Sequence, residues 1–510
     1  MRKSILTLAG ALFLWISAFA QNVTVTGTVT NEKGTPLEGV SVVSADGRTA
    51  TQTGKEGKYN ISVPASAKTL VFSFVNYQTV TIAVRGVVNV TMLLTDSKLE
   101  EVVVVGYGVQ QKKAFTGSAS KVDTKEFANL MSPSVDKQLA GRAAGVQVTN
   151  TGGSINTPAR IRIRGIASIT GNNDPLIVVD GVPMISGDVA AVGHSNTLGD
   201  INTSDIETID VLKDGSATAI YGSRAAGGVI LITTKKGVKG KSKINYDATF
   251  GFSSVAKKFA LLNAKEFETI ANEKLTNAGQ AIRAGVNASA DTSDTDWQAA
   301  VMNNNASVQN QTLSLQGGSD KTTYYFSLNY SNQKGVIVSN SNRAFRIRMN
   351  LDHEVNKFIK IGNNLSISRQ EDYGQNEGSN ALGGSIASTL RLLPNVSPYA
   401  KTLSGYNILY PTANQIDKGP NGTTIDDNFG NTAYILRTDK YYSDKYRIID
   451  NAYIEASVVK GLKLRSQVGV DMLNDYSYQG INPFHGDGYG KGENYNATQN
   501  WLRLVLVKLF

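Results

Sequence analysis

The chain has 510 residues, a formal charge of +9, 49 glycines, 21 tyrosines and no cysteine. That length allows several domains with ample cores, and the missing cysteines exclude a disulfide scaffold and thiolate metal sites. The histidines His194, His353 and His485 lie far apart, which argues against a metal site, and the basic excess is spread along the chain, so there is no nucleic-acid footprint.

Residues 1–20 read as a secretory signal: Arg2 and Lys3 are the charged start, Ile5 to Trp15 the apolar middle and Ala18-Phe19-Ala20 the cleavage site. Its removal lowers the formal charge from +9 to +7. No later stretch offers the roughly 18 uninterrupted apolar residues of a spanning helix. Residues 21–96 follow as strand, turn, strand, with VTVTGTVT, a turn at Asn31-Glu32-Lys33-Gly34, then YNISV, TLVFSF and VNVTMLL. About seven short strands without a helix predict a small β-sandwich. The succession GTVT, GTPLEGVSV and GKYNISVP resembles the carboxypeptidase regulatory-like domain, a transthyretin-like sandwich.

Within residues 97–111 stands LEEVVVVGYG, two carboxylates ahead of four valines and two glycines. On local physics it is a buried strand of a neighbouring unit or a strand offered to a partner's sheet edge. Residues 112–238 are Gly-rich and mixed. A helix is expected from Val135 to Ala140, strands at VQVTN, ARIRIRGIAS, PLIVVDGVPM and GGVILITTKKG, and a short helix or turn-rich edge at DIETIDVLKDGSATAIYG, where Ile206, Ile209 and Leu212 recur at helical spacing. Arg160, Arg162 and Arg164 alternate with Ile161 and Ile163, so the arginines share one strand face; a solvated face is the plain reading. Asp180-Gly181 signals a hairpin turn.

In this order and spacing, GRAAGVQV, RIRIRG, PLIVVDGVP and IETIDVLKDGSATAIYGSRAAGGVILITTKKG resemble the plug of TonB-dependent outer-membrane transporters, more narrowly the SusC/RagA family. The resemblance implies that Glu100, Glu101, Val102, Val103, Val104, Val105 and Gly106 are a TonB box. It further implies that Arg160, Arg162, Arg164 and Arg224 hold the plug inside the barrel. It implies TonB with ExbB and ExbD as partners, a SusD-like surface lipoprotein, an oligosaccharide or peptide as cargo, outer-membrane lipid around the wall, a periplasmic amino-terminal domain, and no cofactor.

Residues 239–510 alternate over longer runs. Tyr324, Phe326, Leu328 and Tyr330 share a face; Phe345, Ile347, Met349 and Leu351 oppose Arg346, Arg348, Asn350 and Asp352; Leu462, Leu464, Val468, Val470 and Met472 oppose Lys463, Arg465, Gln467 and Asp471. This is the pattern of a lipid-facing β-barrel, although a soluble sandwich shares it. Leu262 to Thr276 has helical periodicity with Asn263 and Glu266 as a capping pair, and Gln370 to Thr438 is a long polar insertion. Eight or nine candidate strands fall short of the roughly 22 of a plugged barrel, so an incomplete, truncated barrel is expected. The final WLRLVLVKLF resembles an outer-membrane sorting strand, with a truncated or out-of-frame tail as the alternative.

The expected fold is therefore mainly β: a sandwich, an α+β plug and part of an antiparallel transmembrane barrel. The expected function is TonB-dependent nutrient import. A TonB-dependent receptor that signals and a secreted glycan-binding adhesin are the alternatives; no catalytic constellation points to an enzyme.

Overall fold

The computed structural model describes residues 22–509 except 33, 46, 48, 66, 76, 94–101, 106–107, 112–118, 123–133, 151, 170–172, 191–193, 283–292, 375–384, 402–403, 410–415, 417–429, 460–461, 486–488 and 491–492. The chain divides into two compact units between Val102 and Val103.

The first unit holds seven strands: β1 (Asn22–Asn31), β2 (Ser41–Ser44), β3 (Ala50–Gln52), β4 (Lys58–Pro64), β5 (Thr69–Ser73), β6 (Val80–Ala83) and β7 (Val90–Met92). They form two sheets, ordered β4-β1-β7 and β3-β2-β5-β6. Alternation in β1 and β4 turns Val25, Val29, Tyr59, Ile61 and Val63 inward, where they meet Leu70, Phe72 and Met92. Gly27 is required by close approach, since a Cβ there would sit 1.8 Å from the Val88 carbonyl oxygen. Beside it the Tyr59 ring stands edge-on to Phe72 at 5.4 Å and its hydroxyl donates to the Val88 carbonyl at 2.8 Å.

β8 (Val102–Val105) and β9 (Gly108–Gln111) form a two-stranded sheet. The plug-like segment then contributes β10 (Ala119–Val122), α1 (Val135–Gln138), β11 (Val146–Thr149), β12 (Arg160–Ile163), β13 (Leu176–Val179), β14 (Val182–Pro183), β15 (Ile206–Leu212), α2 (Gly215–Thr218) and β16 (Val229–Thr234). Five of these strands form one sheet, ordered β10-β15-β16-β13-β14, while β11 pairs with β12. Both sheet faces are covered. Ile177, Ile209, Ile230 and Ile232 pack on one with Val135 and Leu139; Leu176, Val178, Leu212 and Leu231 pack on the other with Tyr221.

That double burial corrects one sequence expectation. IETIDVL is strand β15 and not a helix, because its helically spaced Ile206, Ile209 and Leu212 fill both faces of a buried sheet together with Val211, and the short helix and turns come only after it, at α2 and residues 219–225. The Asp180-Gly181 hairpin forms as expected between β13 and β14, with φ of 48° and 88°.

The remaining strands are β17 (Gly240–Ser253), β18 (Ala306–Gly318), β19 (Thr322–Lys334), β20 (Ser341–Glu354), β21 (Ile359–Tyr373), β22 (Lys440–Val459), β23 (Leu462–Ile481) and β24 (Glu493–Leu509). They form one antiparallel sheet in chain order, with β17 and β24 at its edges. Phe345, Met349, Leu351, Ile367, Val468, Met472, Leu502 and Leu504 are exposed on its outer face. The alternate residues Arg346, Arg348, Asn350, Lys445 and Arg447 are buried on the inner one. Short turns join the strands at one end and long connections at the other. The long ones carry α3 (Ala264–Asn277), α4 (Trp297–Ala300), α5 (Ser385–Thr389) and α6 (Thr432–Thr438). Asn263 and Glu266 make the expected capping box on α3. The connections share a core of Trp297, Val301, Leu393, Val396, Ala433 and Leu436, and the Trp297 indole donates to the Leu393 carbonyl at 2.8 Å.

Burial pushes the Tyr59 phenol up to about 12. A phenol kept neutral in the fold adds stability that is complete below its ordinary value near 10 and is lost as pH rises through about 12. Urea titrations at about pH 8 and about pH 11 are expected to lose more stability in the wild-type sandwich than in Tyr59→Phe; equal losses would mean that the phenol titrates as if in water.

Candidate functional site

Of the expected docking residues, Glu100, Glu101 and Gly106 lie outside the described residues, while Val102, Val103, Val104 and Val105 form β8.

Of the expected plug arginines, two pair within the plug-like segment and two are exposed. Ile161 and Ile163 of β12 are buried as expected, but Arg162 pairs with Asp174 at 3.4 Å and Arg164, at a φ of 58°, pairs with Asp214. Both partners belong to the plug-like segment itself. Arg160 and Arg224 are exposed. Among the described residues, none of the four forms a hydrogen bond or ion pair with the eight-stranded sheet. For Arg162 and Arg164 the reason is local, since Asp174 and Asp214 take them up, whereas Arg224 lies near the like-charged Arg503 of β24.

The contacts between plug-like segment and sheet have mostly the opposite polarity: the sheet supplies most of the cations and the plug-like segment most of the carboxylates, Lys236 beside Asp352 at 3.8 Å being the exception. One cluster gathers at the Asp180 turn. The Asp180 carboxylate accepts from the Thr234 amide at 2.9 Å, the Thr234 hydroxyl at 2.7 Å and Arg348 Nη1 at 3.2 Å. Asp205 lies 3.9 Å from Arg348 Nε and accepts from the Tyr325 hydroxyl at 2.8 Å. Asn350 donates to the Thr234 hydroxyl and the Lys235 carbonyl, and Asn451 to the Asp180 carbonyl.

A second cluster surrounds Asp200, which meets Lys445 Nζ at 3.1 Å and Arg447 Nη1 at 3.2 Å. Arg447 also forks onto Asp471 of β23 at 2.8 and 2.7 Å and donates to the Ile185 carbonyl at 2.8 Å, while the Ile185 amide donates to Asp471 at 2.7 Å. Lys445 donates to the Asn196 carbonyl at 2.9 Å and Arg346 Nε to the Gly199 carbonyl at 2.8 Å. Side chains of Lys445, Arg447, Asp200 and Asp471 are at most 2% exposed. A third contact, toward the long connections, joins Asn156 to Asp372 at 3.0 Å and the Ile155 amide to Asn340 at 2.8 Å.

The four cations Arg346, Arg348, Lys445 and Arg447 thus face the four carboxylates Asp180, Asp200, Asp205 and Asp471. Withdrawing each ion from water costs several kcal/mol, which mutual attraction and hydrogen bonds roughly offset. Such an interface therefore sets one position without holding it tightly. Close packing reinforces the position: a Cβ on Gly469 would come within 2.7 Å of the Val182 side chain.

The sequence carried part of this signal. Arg346 and Arg348 were legible as an inward charged face, but Asp180 read only as a turn residue, and Asp200 and Asp205 sit in 3₁₀ turns that have no periodicity. His194 is also more than a loop residue: it donates to Asp188 at 2.7 Å. Burial tends to raise the Asp188 carboxyl, but His194 and the Ser195 amide outweigh it and hold it below the usual range.

Residues 111–229 match the TonB-dependent receptor plug domain, and residues 25–105 match the carboxypeptidase regulatory-like domain. The chain is 34% identical over 466 residues to TonB-dependent receptor P3 of Formosa agariphila, covering 89% of this chain and 42% of that protein. It is 35% identical to TonB-dependent receptor SusC of Bacteroides thetaiotaomicron, covering 80% of this chain and 40% of that one. The chain thus spans about two fifths of the length of these relatives. The RagAB peptide importer in its open-open state is similar at a TM-score of 0.62 and 25% identity, over 78% of this chain and 45% of that one.

Arg447→Ala leaves Asp200 and Asp471 buried without their shared guanidinium and is expected to cost about 3–5 kcal/mol. The urea midpoint of detergent-solubilised protein reads this, and adding Asp471→Ala is expected to recover part of the loss. A change within about 0.5 kcal/mol would mean that the pair is hydrated.

Proposed function

We propose that this chain, which resembles the SusC-like TonB-dependent receptors over most of its length, carries the plug and eight wall strands of an outer-membrane importer. The observation that carries the reading is the buried ion network, which seats a compact α+β segment against the charged inner face of consecutive antiparallel strands. The outer face of those strands is apolar, as a wall standing in lipid requires.

In this reading Glu100 to Gly106 dock to TonB, driven by ExbB and ExbD, and the sandwich and docking strand stand in the periplasm. The outer membrane sustains no ion gradient and the periplasm holds no ATP, so work must reach the plug mechanically. A strand suits this task, since main-chain hydrogen bonds to a partner's sheet edge carry load along their length. Cargo enters from the other side, under a SusD-like surface lipoprotein; an oligosaccharide is the first choice and a peptide the second. Arg160, Arg162, Arg164 and Arg224 keep a place in the proposal on the exposed side of the plug, toward wall strands beyond these eight.

Val103→Pro removes a main-chain donor from the docking strand. In cells carrying the full-length protein, growth on a panel of oligosaccharides and peptides is expected to fall to that of cells lacking TonB. Growth at the wild-type rate would remove the docking-strand assignment.

A further inference from the structure

The outer face of the wall is apolar only up to a definite height. In register across β20 to β24, Ile347, Ile367, Ile448, Met472 and Leu502 make one wholly apolar row. The mostly apolar belt continues toward the short turns as far as the row of Ile359, Ala456 and Leu464, and Asp450 within it is held by Asn363 at 2.7 Å. From Ile367 to Ile359 is eight residues (367 − 359), about 27 Å of strand. At a tilt of about 40° that is roughly 21 Å of membrane depth, most of the apolar band of about 25 Å that a barrel presents to lipid. The next rows toward the long connections therefore stand among headgroups, and long connections mark the outer leaflet.

The chemistry changes abruptly there. Arg369, two residues beyond Ile367, donates to Asp444 through Nε at 3.1 Å and Nη2 at 3.0 Å, and Nη2 also lies 3.0 Å from Glu371. Arg343 meets Glu371 through Nε at 2.9 Å. The side chains of Glu371 and Asp444 are 20% and 21% exposed, whereas those of Arg343 and Arg369 are 54% and 48% exposed. The acids thus lie low and hold the guanidinium groups upright; among the described residues, neither Nη of Arg343 nor Nη1 of Arg369 has a hydrogen-bond partner. One row higher, the Tyr442 ring touches those of Tyr373 at 5.9 Å, Tyr478 at 5.3 Å and Tyr476 at 6.0 Å. At the upper end of these rows a cleft of about 360 Å³ opens between Tyr373, Lys440 and Tyr442 of the face and Leu436 and Asp439 of the adjoining connection. The Asn482 amide donates to Asp439 at 3.0 Å, while Lys440 Nζ has no partner among the described residues.

We infer that Arg343, Arg369 and Lys440, with Tyr442, form a binding site for the phosphorylated sugar head of an outer-leaflet glycolipid, an inference that rests on the reading of these strands as a membrane wall. Three cations against two engaged carboxylates leave positive charge at the headgroup level, and guanidinium groups take phosphate oxygens in pairs. A tyrosine face takes the apolar face of a sugar ring. The acyl chains continue down the face over Ile367 and Met472. The head bridges β20 to β22 and the connection that carries α6. An aromatic girdle alone requires neither the ion row nor the cleft.

The test uses the full-length protein, extracted in detergent from outer membranes, stripped of lipid and followed by native mass spectrometry. Three probes are titrated: lipid A, which is an acylated glucosamine disaccharide with phosphates, the same lipid with its phosphates removed, and soluble glucosamine 1-phosphate. The wild type is expected to hold one lipid A about ten-fold more tightly than the dephosphorylated lipid, and the soluble sugar phosphate far more weakly than either. Arg343→Gln combined with Lys440→Gln, both at exposed positions, is expected to abolish the ten-fold preference. Equal binding of the two lipids by the wild type would mean an aromatic girdle only and overturns the inference, as does an undiminished preference in the double variant. Soluble glucosamine 1-phosphate binding as tightly as lipid A would assign the cleft to a free anion and overturns it too. Should the double variant not assemble, Tyr442→Leu keeps apolar area without the ring and is expected to weaken lipid A binding several-fold; unchanged affinity overturns the site as assigned. Fractionation separates the two ideas. Protein absent from the outer membrane defeats the wall reading, whereas protein that sits there and imports, yet shows no preference for phosphate, defeats only the lipid site.

Discussion

The structure from Val103 onward depends on one requirement: the cations Arg346, Arg348, Lys445 and Arg447, buried on the inner face of the wall, each have a partner. Lys445 and Arg447 are withdrawn from water between β22 and the plug, at a cost that Asp200, Asp471 and the carbonyls of residues 185–197 offset, with Asp372 and Asp475 adding attraction for Lys445. The plug is in effect the counter-ion of the wall. This explains why the two form one compact unit although their backbone architectures differ. Ion pairs of this kind favour a single register more than a tight hold.

The same strands answer a second requirement on their other side. Phe345, Met349 and Leu351 face outward from a strand whose intervening residues are Arg346, Arg348 and Asn350, so one alternation serves two media. A slip of one residue would put arginines into lipid and methionine against aspartate. Lipid also leaves an unpaired main chain nothing to bond with, so β17 and β24 each need a neighbouring strand before the sheet can stand in a bilayer.

Much of this was legible in the sequence because periodicity is a local property. The seven strands of the sandwich, the two faces of β20 and β23, the α3 capping box and the Asp180-Gly181 hairpin all follow from residues within a few positions of one another. What failed was non-local. Ile206, Ile209 and Leu212 match a helix until it is known that both faces of β15 are covered. The spacing of Arg162 and Arg164 gives no hint that Asp174 and Asp214 of the same segment pair with them. Asp180, Asp200 and Asp205 are turn residues by every local criterion, and their partners lie more than a hundred positions away in β19, β20 and β22. Charge pairing at that separation leaves no mark on spacing.

The polar character of the seam has a further consequence for how a plug can move. Ser154 Oγ, Thr157 Oγ1 and Gln370 Oε1 are buried without a hydrogen-bond partner among the described residues, and they flank the Asn156 to Asp372 contact. Buried oxygens of this kind are the ones that water serves, and a seam lined by them and by ions gains solvation as it opens. The plug core offers no such return: separating Ile177, Ile209 and Ile230 from Val135 and Leu139 exposes only apolar surface. Displacing the plug-like segment would therefore meet two kinds of resistance. Polar contacts can be exchanged for water one at a time, whereas the apolar core resists in proportion to the area uncovered. The least costly displacement breaks few core contacts and many polar ones.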